Sequence, residues 1–173
     1  MGKKNNDQNQ QQLPDLEGFP HVTSALMETI NTFPGLEKGE KFTFSTMLTN
    51  EQGLTVAAIA GSAIVNEMES ITGHVMQTCS YPFTILCRYS GLSKGRKIEI
   101  KEWMETLAEW LCRKEVVING ETYQLKKWPP LTGDREIRLI TRMTPAYLGG
   151  INEDKSEDWV MDMIIQYRNE FDR

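Results

Sequence analysis

The C-terminal residues of this chain alternate between apolar and polar side chains over an unusually long stretch. In "DWVMDMIIQYRNEF", residues 158–171, every second position from 159 to 167 is apolar, namely Trp159, Met161, Met163, Ile165 and Tyr167. Successive side chains of a β-strand point to opposite faces, so this period predicts one long strand with a buried face. The rest of the chain has to supply its partner strands and the layer that covers it.

Four other segments show the same two-residue alternation or the amino-acid composition of β-strands: residues 41–49, 54–61, 69–90 and 135–144. In residues 41–49, one face is formed by Phe42, Phe44, Thr46 and Leu48. This segment and residues 54–61 should form a hairpin around a turn at residues 50–53. Residues 135–144 should pair antiparallel with the C-terminal strand, with Ile137, Leu139, Thr141 and Met143 on one face.

Proline and glycine mark special positions in these strands. Pro82 has no backbone N–H, so the strand that contains it should be bulged or lie at a sheet edge nearby. The pair Gly149–Gly150 indicates a tight turn. Asn119–Gly120, between two β-rich arms, is the preferred pair for a type I′ hairpin turn.

Two segments carry the helical period instead. Apolar residues of the first make one stripe that ends before Pro34–Gly35: Val22, Leu26, Ile30 and Phe33. The stronger pattern spans about residues 95–114, with Ile100, Trp103, Met104, Leu107, Trp110 and Leu111 at spacings of three and four. The predicted fold is therefore α+β, a mixed and mostly antiparallel sheet with this long amphipathic helix and the N-terminal helix packed on it.

Composition divides the chain and limits its partners. Residues 1–18 are rich in Asn and Gln and predict a flexible extension, while residues 19–173 predict one domain. The net charge of −5 disfavours a general nucleic-acid binder, which normally carries a basic face. The dense basic group Lys94–Lys97 is expected to be a solvated loop before the helix.

The residues offer no recognisable catalytic constellation. The three cysteines lack CxxC spacing, and neither His21 nor His74 stands in a metal or general-base motif. The cysteines are expected to be reduced and packed as small apolar side chains. The four tryptophans are expected in the core rather than in a ligand cage. We therefore expect no enzyme, no cofactor and no metal.

An acidic loop, "NEDKSED", follows residues 135–144 and should connect them to the C-terminal strand. Its alternate oxygens resemble part of a calcium loop, but it lacks the glycine at the sixth position and the glutamate at the twelfth. We expect this loop to be exposed, and we expect it and the hairpin tip to contact a partner, because loops on a rigid sheet carry function. The candidate interface residues are Asn119, Gly120, Asn152, Glu153, Asp154, Lys155, Glu157 and Asp158.

From residue 20 to residue 171 the segments also resemble a known family. The most specific parts are the strand start Tyr81–Phe83, the helix Ile98–Leu111, and "TPAYL" at residues 144–148. They resemble small proteins of tailed phages and phage-like particles of Gram-positive bacteria, known as minor capsid or tail-completion proteins and similar to tail terminators. The likeness is closest from residue 81 to the end.

The resemblance implies a structural virion protein located in the tail or neck and assembled in the cytoplasm of the bacterial host. Tail terminators form a ring, a homohexamer, that caps the head-proximal end of the tail tube and stops its polymerisation. The implied partners are ring neighbours, the tail tube protein, a head–tail connector or collar protein, and the sheath protein if the tail is contractile. DNA would only pass through the lumen, where acidic groups would repel it, and no membrane is involved.

Three other interpretations remain open at this point. Another neck component, such as a head–tail connector or completion protein, shares the size and acidity of a terminator. A small monomeric binding module would form no ring. A small enzyme is disfavoured because no nucleophile and base can be paired.

Overall fold

The computed structural model describes residues 19–45 and 53–173. The predictions for residues 1–18, for Thr46 and Leu48, and for a turn at residues 50–52 lie outside this part of the chain. The described residues form α1 (Phe19–Ile30), β1 (Phe42–Phe44), β2 (Gly53–Ala58), β3 (Ala63–Glu69), β4 (His74–Tyr89), α2 (Lys94–Leu111), β5 (Val116–Ile118), β6 (Glu121–Tyr123), β7 (Arg135–Arg142), β8 (Tyr147–Ile151) and β9 (Glu157–Asp172). This is an α+β fold with a mixed sheet, as predicted.

Strands β4 and β9 form the centre of the main sheet. Each has 16 residues, and they pair antiparallel without a register shift from His74↔Asp172 to Tyr89↔Glu157. The alternation predicted for β9 is confirmed, because Met161, Met163, Ile165 and Tyr167 are buried and their neighbours are partly exposed. The two strands share one buried face, and their other face is partly exposed except near the β8–β9 connection, where Leu86, Arg88 and Asp158 are buried.

The other strands of the main sheet attach to these two. β2 and β3 pair with successive halves of β4, while β7 and β8 pair with successive parts of β9. The pairing of β7 with β9 is antiparallel, as predicted. β5 and β6 form a separate two-stranded sheet. Strands β3 and β8 were not predicted from the sequence.

The predicted hairpin between β1 and β2 is wrong. The two strands are parallel, with Phe42 beside Leu54 and Phe44 beside Val56. A tight turn joins only antiparallel neighbours, so a hairpin cannot join these two parallel strands. Alternation determines which face of a strand is buried, but it contains no information about strand direction, and this explains the error.

Pro82 lies inside the central strand β4, level with the break between β2 and β3. Its carbonyl oxygen accepts from the Ile59 N–H at 3.3 Å, beyond the end of β2. The N–H and C=O of one strand residue point to the same side, so the missing donor faces the gap between β2 and β3. The expected bulge or sheet edge at Pro82 is therefore wrong: β4 is central and regular there, and the missing donor is accommodated at the break between β2 and β3.

The simple alternation predicted for β7 is also wrong. A register shift between Ile137 and Leu139 buries both Ile137 and Ile140 and exposes Leu139. An extra residue in one strand of a pair reverses the faces of all residues after it. The apolar pattern of "REIRLI" therefore fits a bulged strand rather than a regular one.

Helix α2 packs its apolar stripe on the buried face of the sheet. Ile100, Met104, Leu107, Trp110 and Leu111 are buried, as predicted. The helix ends at Leu111, three residues before the predicted end, and Lys94–Lys97 form its first turn rather than a loop. Its N-terminus is capped by Ser93, whose hydroxyl accepts from the N–H of Arg96 at 3.2 Å.

The N-terminal segment joins the same core. Thr23 of α1 hydrogen-bonds Tyr81 of β4 at 2.9 Å. Phe33, just after α1, lies edge-on to Trp103 at a centroid distance of 5.6 Å, and it also contacts Trp110. Both tryptophans belong to the core, as predicted, and the Trp103 indole donates to the carbonyl of Gly35 at 2.7 Å.

Leu107→Ala should lower the free energy of unfolding by about 2–5 kcal/mol, because it removes a fully buried side chain between α2 and the sheet. Lys101→Ala, on the exposed side of the same helix, is the matched control and should change it by less than about 0.5 kcal/mol. Urea denaturation followed by circular dichroism measures both. Equal effects would contradict the packing described for α2.

Candidate assembly surfaces

The acidic segment connects β8 to β9, not β7 to β9 as predicted, because β8 intervenes. Its turn is closed by two backbone hydrogen bonds between Asn152 and residues 155–156: the Asn152 N–H donates to Ser156 O at 2.8 Å, and the Lys155 N–H donates to Asn152 O at 2.9 Å. Lys155 has a φ of 65°, the left-handed conformation that such a turn requires. The segment is therefore a defined hairpin turn.

Side chains inside this turn bond to one another. The Asp154 carboxylate accepts from the Ser156 N–H at 2.9 Å and from the Ser156 hydroxyl at 2.6 Å. These hydrogen bonds hold the pKa of Asp154 below its ordinary value. The Asn152 amide donates to the Ser156 hydroxyl at 3.0 Å and to Asp158 Oδ1 at 3.1 Å. Asn152, Asp154 and Ser156 thus shape the turn.

A buried ion pair lies at the base of the hairpin. The guanidinium of Arg88 on β4 donates from Nε to Asp158 Oδ1 at 2.6 Å and from Nη2 to Asp158 Oδ2 at 2.7 Å. Arg88 is 4% exposed and Asp158 is 7% exposed, so both charges are removed from water. Such a bidentate arginine–carboxylate pair is among the strongest charged hydrogen-bond arrangements in proteins. The Arg88 hydrogen bonds lower the pKa of Asp158 despite its burial.

Glu157 is also engaged within the chain. Its carboxylate lies 2.5 Å from the ammonium of Lys97 in the first turn of α2. This contact and the Arg88 pair tie the base of the hairpin to α2 and to β4. Of the predicted acidic residues, only Glu153 and Asp154 are exposed, together with Lys155. The description of the whole segment as an exposed loop is therefore wrong for Ser156, Glu157 and Asp158.

A polar cavity of about 300 Å³ lies beside the hairpin, lined by Arg88, Asn152, Glu153, Asp154 and Ser156. The carboxylate of Asp158, one of the oxygens considered for calcium, faces the Arg88 guanidinium instead. Among residues 19–45 and 53–173, no group of three or more His, Cys, Asp and Glu side chains is arranged to hold a metal ion.

The second predicted interface element is the tip of the β5–β6 hairpin. Asn119 and Gly120 have φ angles of 51° and 83°, the two positive values of a type I′ turn, as predicted. Both are exposed. They belong to the small sheet, whereas Asn152–Asp158 belongs to the main sheet. The structure therefore presents the eight predicted residues as two separate elements.

Strand β3 is an edge strand with every residue exposed. It pairs with β4 on one side, and no described strand pairs with its other side. Its exposed apolar side chains are Ile64, Val65 and Met68, and Val65 is 62% exposed. Soluble proteins usually protect such an edge, because it can pair with another chain.

The opposite edge of the same sheet, formed by β7 and β8, is also apolar in part. Its exposed large side chains are Leu139, Met143, Tyr147, Leu148 and Ile151. The predicted tight turn at Gly149–Gly150 is wrong, because both glycines lie within β8. A Cβ on Gly149 would come within 2.6 Å of Val160 Cγ2, so this glycine permits a close approach to β9.

The cysteines add no reactive group to these surfaces. Cys79 and Cys87 are buried and Cys112 is partly buried, and all three are free thiols. Burial raises the pKa of all three, so they stay protonated at neutral pH. This agrees with their prediction as small apolar side chains.

Sequence reasoning missed Arg88 and the apolar edge β3. A single arginine inside the apolar run "TILCRY" is a signal for a buried acidic partner, since an unpaired buried charge is costly. The partner Asp158 is 70 residues away, so its identity depends on the strand register. The sequence of β3 shows no alternation of apolar and polar residues, because neither face of this strand is buried.

No family model matches this chain, and neither does any curated protein. No helix in the described part of the chain is long and apolar enough to cross a membrane.

Asp158→Asn should lower the free energy of unfolding by about 3–5 kcal/mol, because the buried Arg88 charge loses its partner. Glu153→Gln, in the exposed part of the same hairpin, should change it by less than about 0.5 kcal/mol. The double variant Arg88→Met/Asp158→Leu removes both charges and should be less destabilised than Asp158→Asn. Urea titrations at pH 7 measure all three. An Asp158→Asn variant with the same free energy of unfolding as the parent chain would contradict the buried ion pair.

The same pair predicts a dependence of stability on pH. Because the pKa of Asp158 is lowered in the folded state, its contribution is complete above the unfolded value, about 3.9, and is lost as the pH falls through the folded value. The unfolding free energy of the parent chain should therefore approach that of Asp158→Asn as the pH falls below about 4. A difference that stays constant down to pH 2 would contradict this.

Proposed function

We propose that this chain is a structural subunit of a ring that terminates the tail tube of a phage or phage-like particle. One observation carries the proposal. The main sheet presents two different exposed apolar edges, β3 on one side and β7–β8 on the other. A ring of identical subunits needs two complementary surfaces that face in opposite directions around the ring.

The rigidity of the sheet supports this proposal. The 16-residue strands β4 and β9 hold the two edges at a constant separation, and α2 braces one face of the sheet. A subunit whose edges moved relative to one another would not close a ring with a fixed number of copies. The resemblance of residues 20–171 to tail terminators supplies the identity of the assembly, a ring on the head-proximal end of a tail tube.

The exposed loops are the candidates for axial contacts. Glu153 and Lys155 project from the β8–β9 hairpin, and Asn119–Gly120 from the β5–β6 hairpin. Asp158 and Glu157 are paired with Arg88 and Lys97, so a variant that neutralises every acid of the hairpin would disturb the fold as well as the surface. Glu153→Gln separates the two effects, since Glu153 is exposed.

The experiment is negative-stain electron microscopy of the purified protein, alone and co-expressed with the tube protein of its particle. We expect rings, and rings at one end of short tubes. A protein that remains monomeric and never caps a tube would contradict the proposal. Rings that bind the connector but leave tube length uncontrolled would indicate another neck component.

Glu153→Gln should reduce the fraction of capped tubes without changing the free energy of unfolding, because it removes an exposed charge at a predicted contact. Lys101→Ala on the exposed side of α2 is the control and should cap normally. Capped ends are counted in the same micrographs. Normal capping by Glu153→Gln would remove the hairpin from the contact surface.

A further inference from the structure

The two exposed edges lie at the same level of the main sheet. Hydrogen-bonded neighbours form rows that cross from β3 through β4 and β9 to β7. One row contains Asn66, Thr78, Arg168 and Glu136. The next row contains Glu67, Gln77, Asn169 and Arg135. Each residue near the middle of β3 therefore has a counterpart at the same height on β7.

The edges carry opposite charges along these rows. β3 has two glutamates, Glu67 and Glu69, which share the guanidinium of Arg173 at the C-terminal end of the same chain at 2.9 and 2.8 Å. β7 has three arginines and one glutamate; Arg138 pairs with that glutamate, Glu136, and Arg142 pairs with Glu105 of α2. Directly paired residues of a ladder point to the same face, so Glu67 and Arg135 lie on the same face of the sheet as well as in the same row. With these pairs counted, β3 together with Arg173 stays net negative and β7 together with Glu105 stays net positive, so a reduced charge complementarity adds to the apolar side chains of both edges.

We infer that β3 of one copy pairs antiparallel with β7 of the next copy, an inference that rests on the proposed ring. β3, β4, β9 and β7 each run antiparallel to the strand before, so β3 and β7 have opposite directions. A rotation axis along the strands preserves these directions and the heights. It places Asn66 of one copy opposite Glu136 of the next, and Glu67 opposite Arg135.

Bulges on both edges restrict which strand fits. The register of β3 shifts between Ile64 and Asn66, and that of β7 shifts between Ile137 and Leu139. The two shifts lie within one row of each other in the sheet. A bulge on an edge strand discourages pairing with a regular strand. A strand with its own bulge at nearly the same level, as in a second copy, avoids that mismatch.

The contact also covers apolar surface. Ile64, Val65 and Met68 on β3 and Leu139 on β7 are exposed in the single chain. Pairing of the strands would bury part of these side chains and would satisfy the outward backbone groups of both edges. Hydrogen bonds and apolar burial would then act together with the glutamate–arginine attraction.

The test is disulfide formation between copies of the full-length double variant Asn66→Cys/Glu136→Cys under mild oxidation. Both positions are exposed, so the substitutions should leave the fold intact. The control Asn66→Cys/Thr141→Cys places the second thiol roughly 13 Å farther along the strand. The parent chain controls for the native cysteines. Denaturing gels without reductant resolve the products, and electron microscopy of the same samples shows whether rings are present.

We expect a ladder of covalent multimers from the Asn66→Cys/Glu136→Cys variant and monomers from both controls. Rings without these crosslinks would overturn the β3–β7 contact and leave the proposed function standing. Absence of both rings and crosslinks would overturn both. A carboxyl-to-amine crosslinker tests whether the chain's own N-terminal segment occupies the β3 edge instead. Crosslinks from Glu67 or Glu69 to Lys3 or Lys4 of the same copy, without any intersubunit disulfide, would show that it does and would overturn the inference.

Discussion

The antiparallel pairing of β4 with β9 is the interaction on which the rest of the structure depends. Their uninterrupted register aligns two 16-residue strands and creates one continuous apolar face for α1 and α2. β2 and β3 attach to β4, and β7 and β8 attach to β9. Each central strand pairs with two shorter strands in succession along its outer side. The unpaired backbone groups of the described sheet therefore lie on the outer sides of short strands such as β3 and β7. The position of these two edges follows directly from the central ladder.

Charged residues of the β8–β9 hairpin divide into two groups with different physical roles. Asp158 and Glu157 form ion pairs with Arg88 and Lys97, which tie the hairpin to β4 and to α2. Glu153 and Lys155 project into solvent and are available to a partner. An acidic segment of seven consecutive polar residues, from Asn152 to Asp158, thus combines a structural base with an exposed tip. The charge of the sequence alone does not distinguish them, because the distinction depends on which residues reach Arg88 on β4 or Lys97 on α2.

The sequence predicted those elements that have one buried face, and it failed where burial gives no signal. β9, α1, α2 and the Asn119–Gly120 turn were predicted because their periods or turn residues reflect local geometry. The direction of β1, the bulge in β7 and the intervening strand β8 depend on register between distant segments, which no local pattern encodes. β3 escaped prediction because all of its residues are exposed, and the buried partner of Arg88 lies 70 residues away. The edges that support the assembly proposal were therefore visible only in the structure.

Hydrogen–deuterium exchange tests most directly whether assembly occurs through the sheet edges. Amide exchange would be compared between the dilute protein and the assembled particle, with peptides that cover β3, β7 and the β4–β9 centre. We predict slower exchange in β3 and β7 after assembly, because their outward N–H groups acquire partners, and little change in β4 and β9, which are already paired. Equal exchange of β3 and β7 in both states, with rings present, would contradict assembly through these edges.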